Sequence, residues 1–185
     1  MKNYNMRTLV TWLFFVLIIG DALSRTASAK AKLEPSGSNQ PIEISADQGI
    51  EWLSEEKVYL ARGNANAKQG NLSMRADILK AFYRNTKSEK DEIYRIEANG
   101  NVLINNLIQT VSGENGIYDL DQSLIVMSGE NLQLDTGKEI VRASDSLEFW
   151  EKSKIAVARG DASATRQKRT IRASLLTVQF VEDKN

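Results

Sequence analysis

The stretch Leu60–Asp77, LARGNANAKQGNLSMRAD, contains two sequence marks from which the architecture can be predicted. The first mark is Gly63-Asn64, a glycine followed by a polar residue. The second is Arg75-Ala76-Asp77, a small residue between a polar and an acidic one. Apolar residues alternate across the second mark, the period expected of a half-buried strand, and glycine inside a strand usually marks a bulge or bend. The stretch therefore predicts two long strands that join at Gln69-Gly70-Asn71 and bend at shared corners.

Both marks recur along the chain. The small-residue mark is centred on residues 46, 76, 113, 143 and 173, with spacings of 30, 37, 30 and 30 residues. The glycine mark lies 13 or 14 residues before the next small-residue mark, at Gly63, Gly100, Gly129 and Gly160. The long spacing contains the polar stretch 84–92, which predicts an enlarged hairpin loop. Two interleaved marks that keep register indicate a repeated structural unit.

Polar clusters separate the alternating apolar segments, as expected for hairpins between long antiparallel strands. Corners repeated at one place in each unit would let such a sheet fold over itself. The sequence therefore predicts an all-β antiparallel sandwich or jelly roll with an apolar interior. A stacked parallel β-helix also has long repeats and is the alternative, but short polar turns favour hairpins.

The N-terminal segment resembles a secretory signal. Lys2 and Arg7 precede an apolar run over Leu9–Ile19, and Ala27-Ser28-Ala29 gives a small-x-small cleavage pattern. The run is shorter than the roughly 20 apolar residues that span a bilayer, although an uncleaved membrane anchor is the alternative. We therefore expect a cleaved signal peptide over residues 1–29. A flexible lead-in over 30–41, a folded domain over 42–181 and a frayed tail over 182–185 would follow.

Composition excludes several functional classes. The 185 residues include 24 Lys and Arg, 24 Asp and Glu, and neither Cys nor His. The chain therefore has no disulfide, thiolate metal site, cysteine nucleophile or histidine base. Balanced charge argues against a dedicated nucleic-acid binder. We predict no enzymatic activity, no catalytic residue, no metal site and no cofactor.

Several segments resemble the signature of the LptA/OstA-like family of periplasmic lipopolysaccharide-transport proteins. They are Ile44–Asp47, Leu60–Ala65, Ala67–Gly70 and Met74–Asp77, and the resemblance extends over about residues 41–180. It implies an open-ended, twisted antiparallel β-jelly roll, and a head-to-tail bridge that carries lipopolysaccharide from the inner to the outer membrane. The implied partners are lipopolysaccharide, through its lipid A acyl chains, and inner- and outer-membrane transport proteins with the same domain. Gly129-Glu130 departs from the Gly-Asn or Gly-Asp pattern.

Inward-facing apolar positions are the candidates for a lipid-binding groove, although ordinary sandwich packing would place similar residues inside. These candidates are Leu60, Ala65, Ala67, Met74, Ile78, Phe82, Ile96, Val102, Ile104, Met127, Leu134, Val141, Phe149, Val157 and Leu175. Residues at the first and last strands are candidates for oligomer edges, namely Ile42, Ile44, Leu176, Val178 and Phe180. A membrane-anchored component of the same export machine and a structural β-repeat protein without lipid cargo are the alternative functions.

Overall fold

A computed structural model of the protein describes residues 40–86 and 91–179. Within these ranges the chain forms twelve strands and no helix. Their bounds are β1 Glu43–Ser45, β2 Gly49–Leu53, β3 Val58–Gln69, β4 Leu72–Asn85, β5 Asp91–Asn105, β6 Thr110–Asp119, β7 Leu124–Ser128, β8 Gln133–Asp135, β9 Glu139–Arg142, β10 Ser146–Trp150, β11 Ile155–Arg166 and β12 Arg169–Gln179. All strand pairs are antiparallel.

Six long strands bend so that one half of each lies in one layer and the other half lies in a second layer. The strands therefore form two layers. In the first layer the order is β2-β3-β4-β5-β6-β7-β10-β11-β12. In the second layer it is β1-β3-β4-β5-β6-β8-β9-β11-β12. This arrangement confirms the predicted all-β antiparallel jelly roll and rules out the parallel β-helix for the described part of the chain.

The predicted corners lie where the long strands pass from one layer to the other. Strand pairing shifts register between Arg62 and Ala65 in β3, and between Arg159 and Ala162 in β11. The polar residues after the corner glycines adopt left-handed backbone conformations, with φ of 43° at Asn64 and 39° at Asp161. Each corner is therefore a β-bulge that bends its strand, as the glycine mark predicted.

The two marks meet at these corners. Asn64 Nδ2 donates to Asp47 Oδ2 at 2.7 Å, and Asn101 Nδ2 donates to Asp77 Oδ2 at 2.8 Å. The backbone amide of Asp47 also donates to the carbonyl of Gly63 at 2.8 Å. The acidic residue of each of these small-residue marks thus fixes the bulge at the glycine mark that follows it. This contact explains why the two kinds of mark keep register in the sequence.

The third corner follows a variant of the pattern. Gly129 has a φ of 89°, but the left-handed polar residue is Asn131, with φ 56°, rather than Glu130. The long strand is interrupted here, because β7 ends at Ser128 and β8 begins at Gln133. The additional residue explains why this glycine lies 14 rather than 13 residues before the next small-residue mark.

Side chains that face between the layers form rows across directly paired residues. One row of the first layer consists of Ile50, Ala61, Leu79, Ala98, Gly116, Met127, Leu147, Ala158 and Leu176. One row of the second layer consists of Ile44, Ala67, Met74, Ile104, Val111, Leu134, Val141, Ala164 and Ile171. Most of these residues belong to or pack against one hydrophobic core.

The polar stretch 84–92 joins β4 to β5, and the strands extend into it to Asn85 and from Asp91. Arg84 donates two hydrogen bonds to the Asp121 carboxylate, at 2.7 and 2.9 Å, and one to Glu92 at 3.1 Å. The Arg84 guanidinium lowers the pKa of Asp121. The side chains of Arg84, Glu92 and Asp121 are each about half exposed. These ion pairs therefore fix the position of the hairpin more than they add to stability.

The predicted signal peptide over residues 1–29, most of the lead-in and the tail over 182–185 lie outside the described residues. Phe180 also lies outside them. In the part of the chain that the structure covers, no helix has the length and apolar character needed to cross a membrane.

Candidate functional site

A cavity of about 530 Å³ lies between the two layers, in the C-terminal half of the jelly roll. Ile125, Met127 and Leu147 line it from the first layer, and Leu134 and Val141 line it from the second. The two layers thus face each other across an apolar space of the size expected for a small-ligand site.

Alanines on the inner face of β11 leave room for this cavity. Ala156, Ala158 and Ala164 line it, whereas larger side chains at these positions would fill the space. In the N-terminal half, small residues instead lie beside side chains that fill the interior. Leu79, for example, is 1% exposed and pairs directly with Ala61. The distribution of small and large residues therefore packs one half of the sandwich and leaves the other half hollow.

Four turns lie together at one end of the jelly roll, which we call the mouth end. Its turns lie at residues 70–71, 106–109, 136–138 and 167–168. Leu107 and Ile171 line the cavity here and are 81% and 61% exposed. The Asn106 side chain accepts hydrogen bonds from the backbone amides of Ile108 and Gln109, each at 2.9 Å, which fixes the turn that presents Leu107.

The structure places the predicted groove residues in three groups. One group lines the cavity: Ile104, Met127, Leu134, Val141, Phe149 and Val157. A second group is buried in the packed core beside it: Ala65, Ala67, Met74, Ile96 and Val102.

The third group lies on the opposite, outward face of the sheet: Leu60, Ile78, Phe82 and Leu175. Each of these four pairs directly with a basic residue. Leu60 pairs with Lys80, Ile78 with Arg62, and Leu175 with Arg159. Phe82 pairs with Arg95.

Three of the predicted edge residues lie on strands that, within the described part of the chain, pair on one side only. Ile44 is in β1, which pairs with β3, and Leu176 and Val178 are in β12, which pairs with β11. Ile42 immediately precedes β1 and packs against the core. Leu176 and Val178 also line the cavity, so β12 forms both an edge of the sheet and one wall of the hollow half.

The cavity lining also includes residues that were not groove candidates in the sequence, among them Ile125, Leu147 and Leu176. Ile125 alternates with Met127 along β7, so the spacing of that candidate could have indicated it. Leu147 pairs directly with Met127, but this contact depends on the alignment of β7 with β10. A single sequence gives no signal for that register.

Of the three carboxylates that border the cavity, Glu148 and Glu151 lie in contrasting environments. Glu148 accepts a hydrogen bond from Arg159 at 2.8 Å, and this contact lowers the pKa of Glu148. Glu151 is 8% exposed, and its burial raises its pKa. A hydrogen bond from Tyr118 and the charge of Lys154 partly oppose that rise. The cavity therefore has a largely apolar lining with one buried acidic group.

Comparisons with known proteins agree with this architecture. The family model described as LptA/(LptD N-terminal domain) LPS transport protein matches residues 43–145. An uncharacterized protein of Rhizobium meliloti (strain 1021) is 29% identical over 128 residues, which are 67% of this chain and 68% of that protein.

Among solved structures, the fold resembles that of LptH from Pseudomonas aeruginosa. LptH is described as the LptA-homologous periplasmic component of the conserved lipopolysaccharide transport device. The match has a TM-score of 0.58 and 14% identity, and covers 75% of this chain and 98% of LptH. Together with the family match over more than half of the sequence, the two-layer fold leads to one assignment: the chain belongs to the LptA/(LptD N-terminal domain) family of lipopolysaccharide-transport proteins.

Proposed function

We propose that this protein is a periplasmic bridge that binds lipopolysaccharide and carries it from the inner to the outer membrane. In this proposal the acyl chains of lipid A occupy the cavity between the layers, while the sugar part remains outside. The protein holds its cargo through apolar contact and performs no chemistry on it.

The cavity is the observation that carries this proposal. Its volume of about 530 Å³ and its lining by Met127, Leu134 and Phe149 suit a flexible hydrocarbon chain. Burying such a chain contributes roughly 0.8 kcal/mol for each methylene group. An apolar lining also lets the chain slide, because most of the wall offers no deep local trap.

The periplasmic location and the partners are supported by the family and by the sequence. LptH is described as a periplasmic component, and the N-terminal segment of this chain has the features of a secretory signal. We propose that inner- and outer-membrane lipopolysaccharide-transport proteins with the same domain receive and deliver the cargo at the two ends of the bridge.

Site-specific photo-crosslinking tests lipid binding in the cavity. We expect a photoreactive amino acid at Leu134 or Phe149 to form adducts with lipopolysaccharide, because both positions line the cavity. The control position is Ile78, which pairs with Arg62 on the outward face of the sheet. Adducts at Ile78 but not at Leu134 or Phe149 would favour a structural repeat protein without internal cargo.

The unpaired edges support head-to-tail assembly. In the described residues β1 and β2 pair on one side with β3, and β12 pairs on one side with β11. An exposed edge offers free backbone groups to another strand. We propose that β12 of one copy adds to the N-terminal edge of the next, a heterologous contact that builds an open filament.

Sedimentation measures this assembly. We expect the sedimentation coefficient of the protein to rise with concentration. We also expect Leu175→Lys to weaken association about tenfold, because a charged side chain on an edge strand opposes strand addition. The matched control is Ile78→Lys, which adds the same charge to the outward face of β4, a strand paired on both sides. A strict monomer at high concentration contradicts head-to-tail assembly.

A further inference from the structure

The lining of the cavity contains one polar group whose role the proposed function leaves unexplained. Glu151 follows β10 and is the single charged side chain that is buried within residues 40–86 and 91–179. Its backbone amide donates to the carbonyl of Ser123 at 2.9 Å, which fixes its position beside the cavity. The other polar residues that line the cavity are less buried than Glu151, so Glu151 is the charged group that a bound chain would meet in the interior.

The Glu151 carboxyl has unused capacity to accept hydrogen bonds. Tyr118 Oη donates to Glu151 Oε2 across 3.5 Å, well beyond the usual 2.7–2.8 Å for an O–H···O bond. A carboxylate has about four lone-pair sites, and this long hydrogen bond occupies one of them. Glu148, in contrast, accepts from both Arg159 and Ser146, at 2.8 and 2.9 Å. Glu151 is therefore the carboxylate that a ligand can supply with a donor.

The position of Glu151 in the fold determines which part of a ligand it meets. The turn at residues 151–154 lies at the opposite end of β11 from the mouth-end turn at 167–168. A chain that enters past Leu107 and Ile171 passes Val141 and Met127 before it reaches Glu151. A hydrogen-bond donor that reaches Glu151 must therefore lie far along the acyl chain, away from the head group.

We propose that Glu151 recognises a hydroxyl group near the end of a bound acyl chain, so that the cavity favours terminally hydroxylated chains over unsubstituted chains of equal length. A hydroxyl suits this site better than an ammonium group. A charged donor would have to lose its hydration across the whole apolar cavity, whereas a hydroxyl loses far less. Burial raises the pKa of Glu151, and a hydroxyl can pair with either protonation state of the carboxyl. This inference rests on the proposed binding of acyl chains.

Binding of three fatty acids to the purified protein tests the inference. The probes are octadecanoic acid, 18-hydroxyoctadecanoic acid and 2-hydroxyoctadecanoic acid. We expect the 18-hydroxy acid to bind about tenfold more tightly than octadecanoic acid, the effect of one well-placed hydrogen bond to a buried carboxyl. The 2-hydroxy acid has its hydroxyl near the head group, so we expect it to bind like octadecanoic acid.

Variants of the two carboxylates assign the preference to Glu151. Glu151→Leu should abolish the preference while still binding octadecanoic acid, and Glu151→Gln should keep part of it because an amide still bonds to a hydroxyl. Glu148→Gln is the matched control and should keep all of it. A preference unchanged in Glu151→Leu overturns the inference, and so does equal binding of octadecanoic and 18-hydroxyoctadecanoic acids to the wild type. If the wild type binds none of the three acids, the proposed lipid cavity fails as well.

Discussion

Replacing Gly100 by alanine is expected to destabilise the fold by about 3 kcal/mol. Gly100 has a φ of +77°, a conformation that costs a residue with a Cβ about 1–2 kcal/mol. The added Cβ would also contact Asp77, with the carboxyl carbon only 3.0 Å away. Asp77 would have to move, and the hydrogen bond that it accepts from Asn101 would be lost. Urea denaturation measures the change in the free energy of unfolding.

Gly137→Ala is the matched control, because Gly137 has nearly the same φ, +74°, but no atom within 4 Å of the added Cβ. Backbone strain alone should therefore cost about 1–2 kcal/mol there. The difference between the two variants isolates the contact between the corner glycine and the acidic residue of the preceding mark. Equal losses of stability would show that this contact does not hold the corner.

The same corners explain how far the sequence predicts the fold. Glycine and small-residue marks are local features with a local structural cause, so their spacing indicates the corners and the jelly roll. Asp77 and Asn101 must bond at a corner, and this constraint is visible as a fixed distance along the chain. The register between β7 and β10, which brings Met127 beside Leu147, has no such local signature in the sequence.

Assignment of inward and outward faces fails at the corners for a definite reason. Strict alternation along β4 runs from Met74 through Ala76 to Ile78, but the corner at Asp77 takes three residues to regain the inner face. Leu79 therefore faces inward, where it pairs with Ala98, and Ile78 faces outward. The same three-residue step after Ala173 in β12 places Leu176 inside and Leu175 outside. Groove residues beyond the corners of β4 and β12 are therefore displaced by one position from simple alternation, whereas alternation is kept across the glycine corner of β5, from Ala98 to Val102.

The location of the cavity could not be predicted, because it depends on the distance between the layers. Alanines occur on the inner faces of both β3 and β11, yet Ala61 lies in a packed region and Ala158 borders the cavity. The difference is a property of how the layers pack around these residues, which composition does not encode. Glu151 was missed for the same reason, since its burial is a property of the assembled layers.

Ala164→Asp is expected to weaken acyl-chain binding about 30- to 150-fold. Ala164 lines the cavity and pairs with Val141 and Ile171, which line it too. An aspartate there is hydrated in the free protein but must lose water when a chain binds, at a cost of at least about 2–3 kcal/mol. The position is half-buried near the mouth end, so the free protein can accommodate the side chain. Titration with octadecanoic acid measures the affinity.

The adjacent residue provides the control, because Ser163 faces the other side of β11. Ser163 pairs with Arg142 and Arg172, and these two cations would stabilise a carboxylate between them. Ser163→Asp adds the same charge to the same strand at similar exposure, and we expect it to leave the affinity within about twofold, since surface changes usually shift energies by less than about 0.5 kcal/mol. Equal weakening in both variants would mean that net charge, rather than the apolar wall, controls binding. Unchanged binding in Ala164→Asp would mean that the acyl chain does not enter between the layers at all.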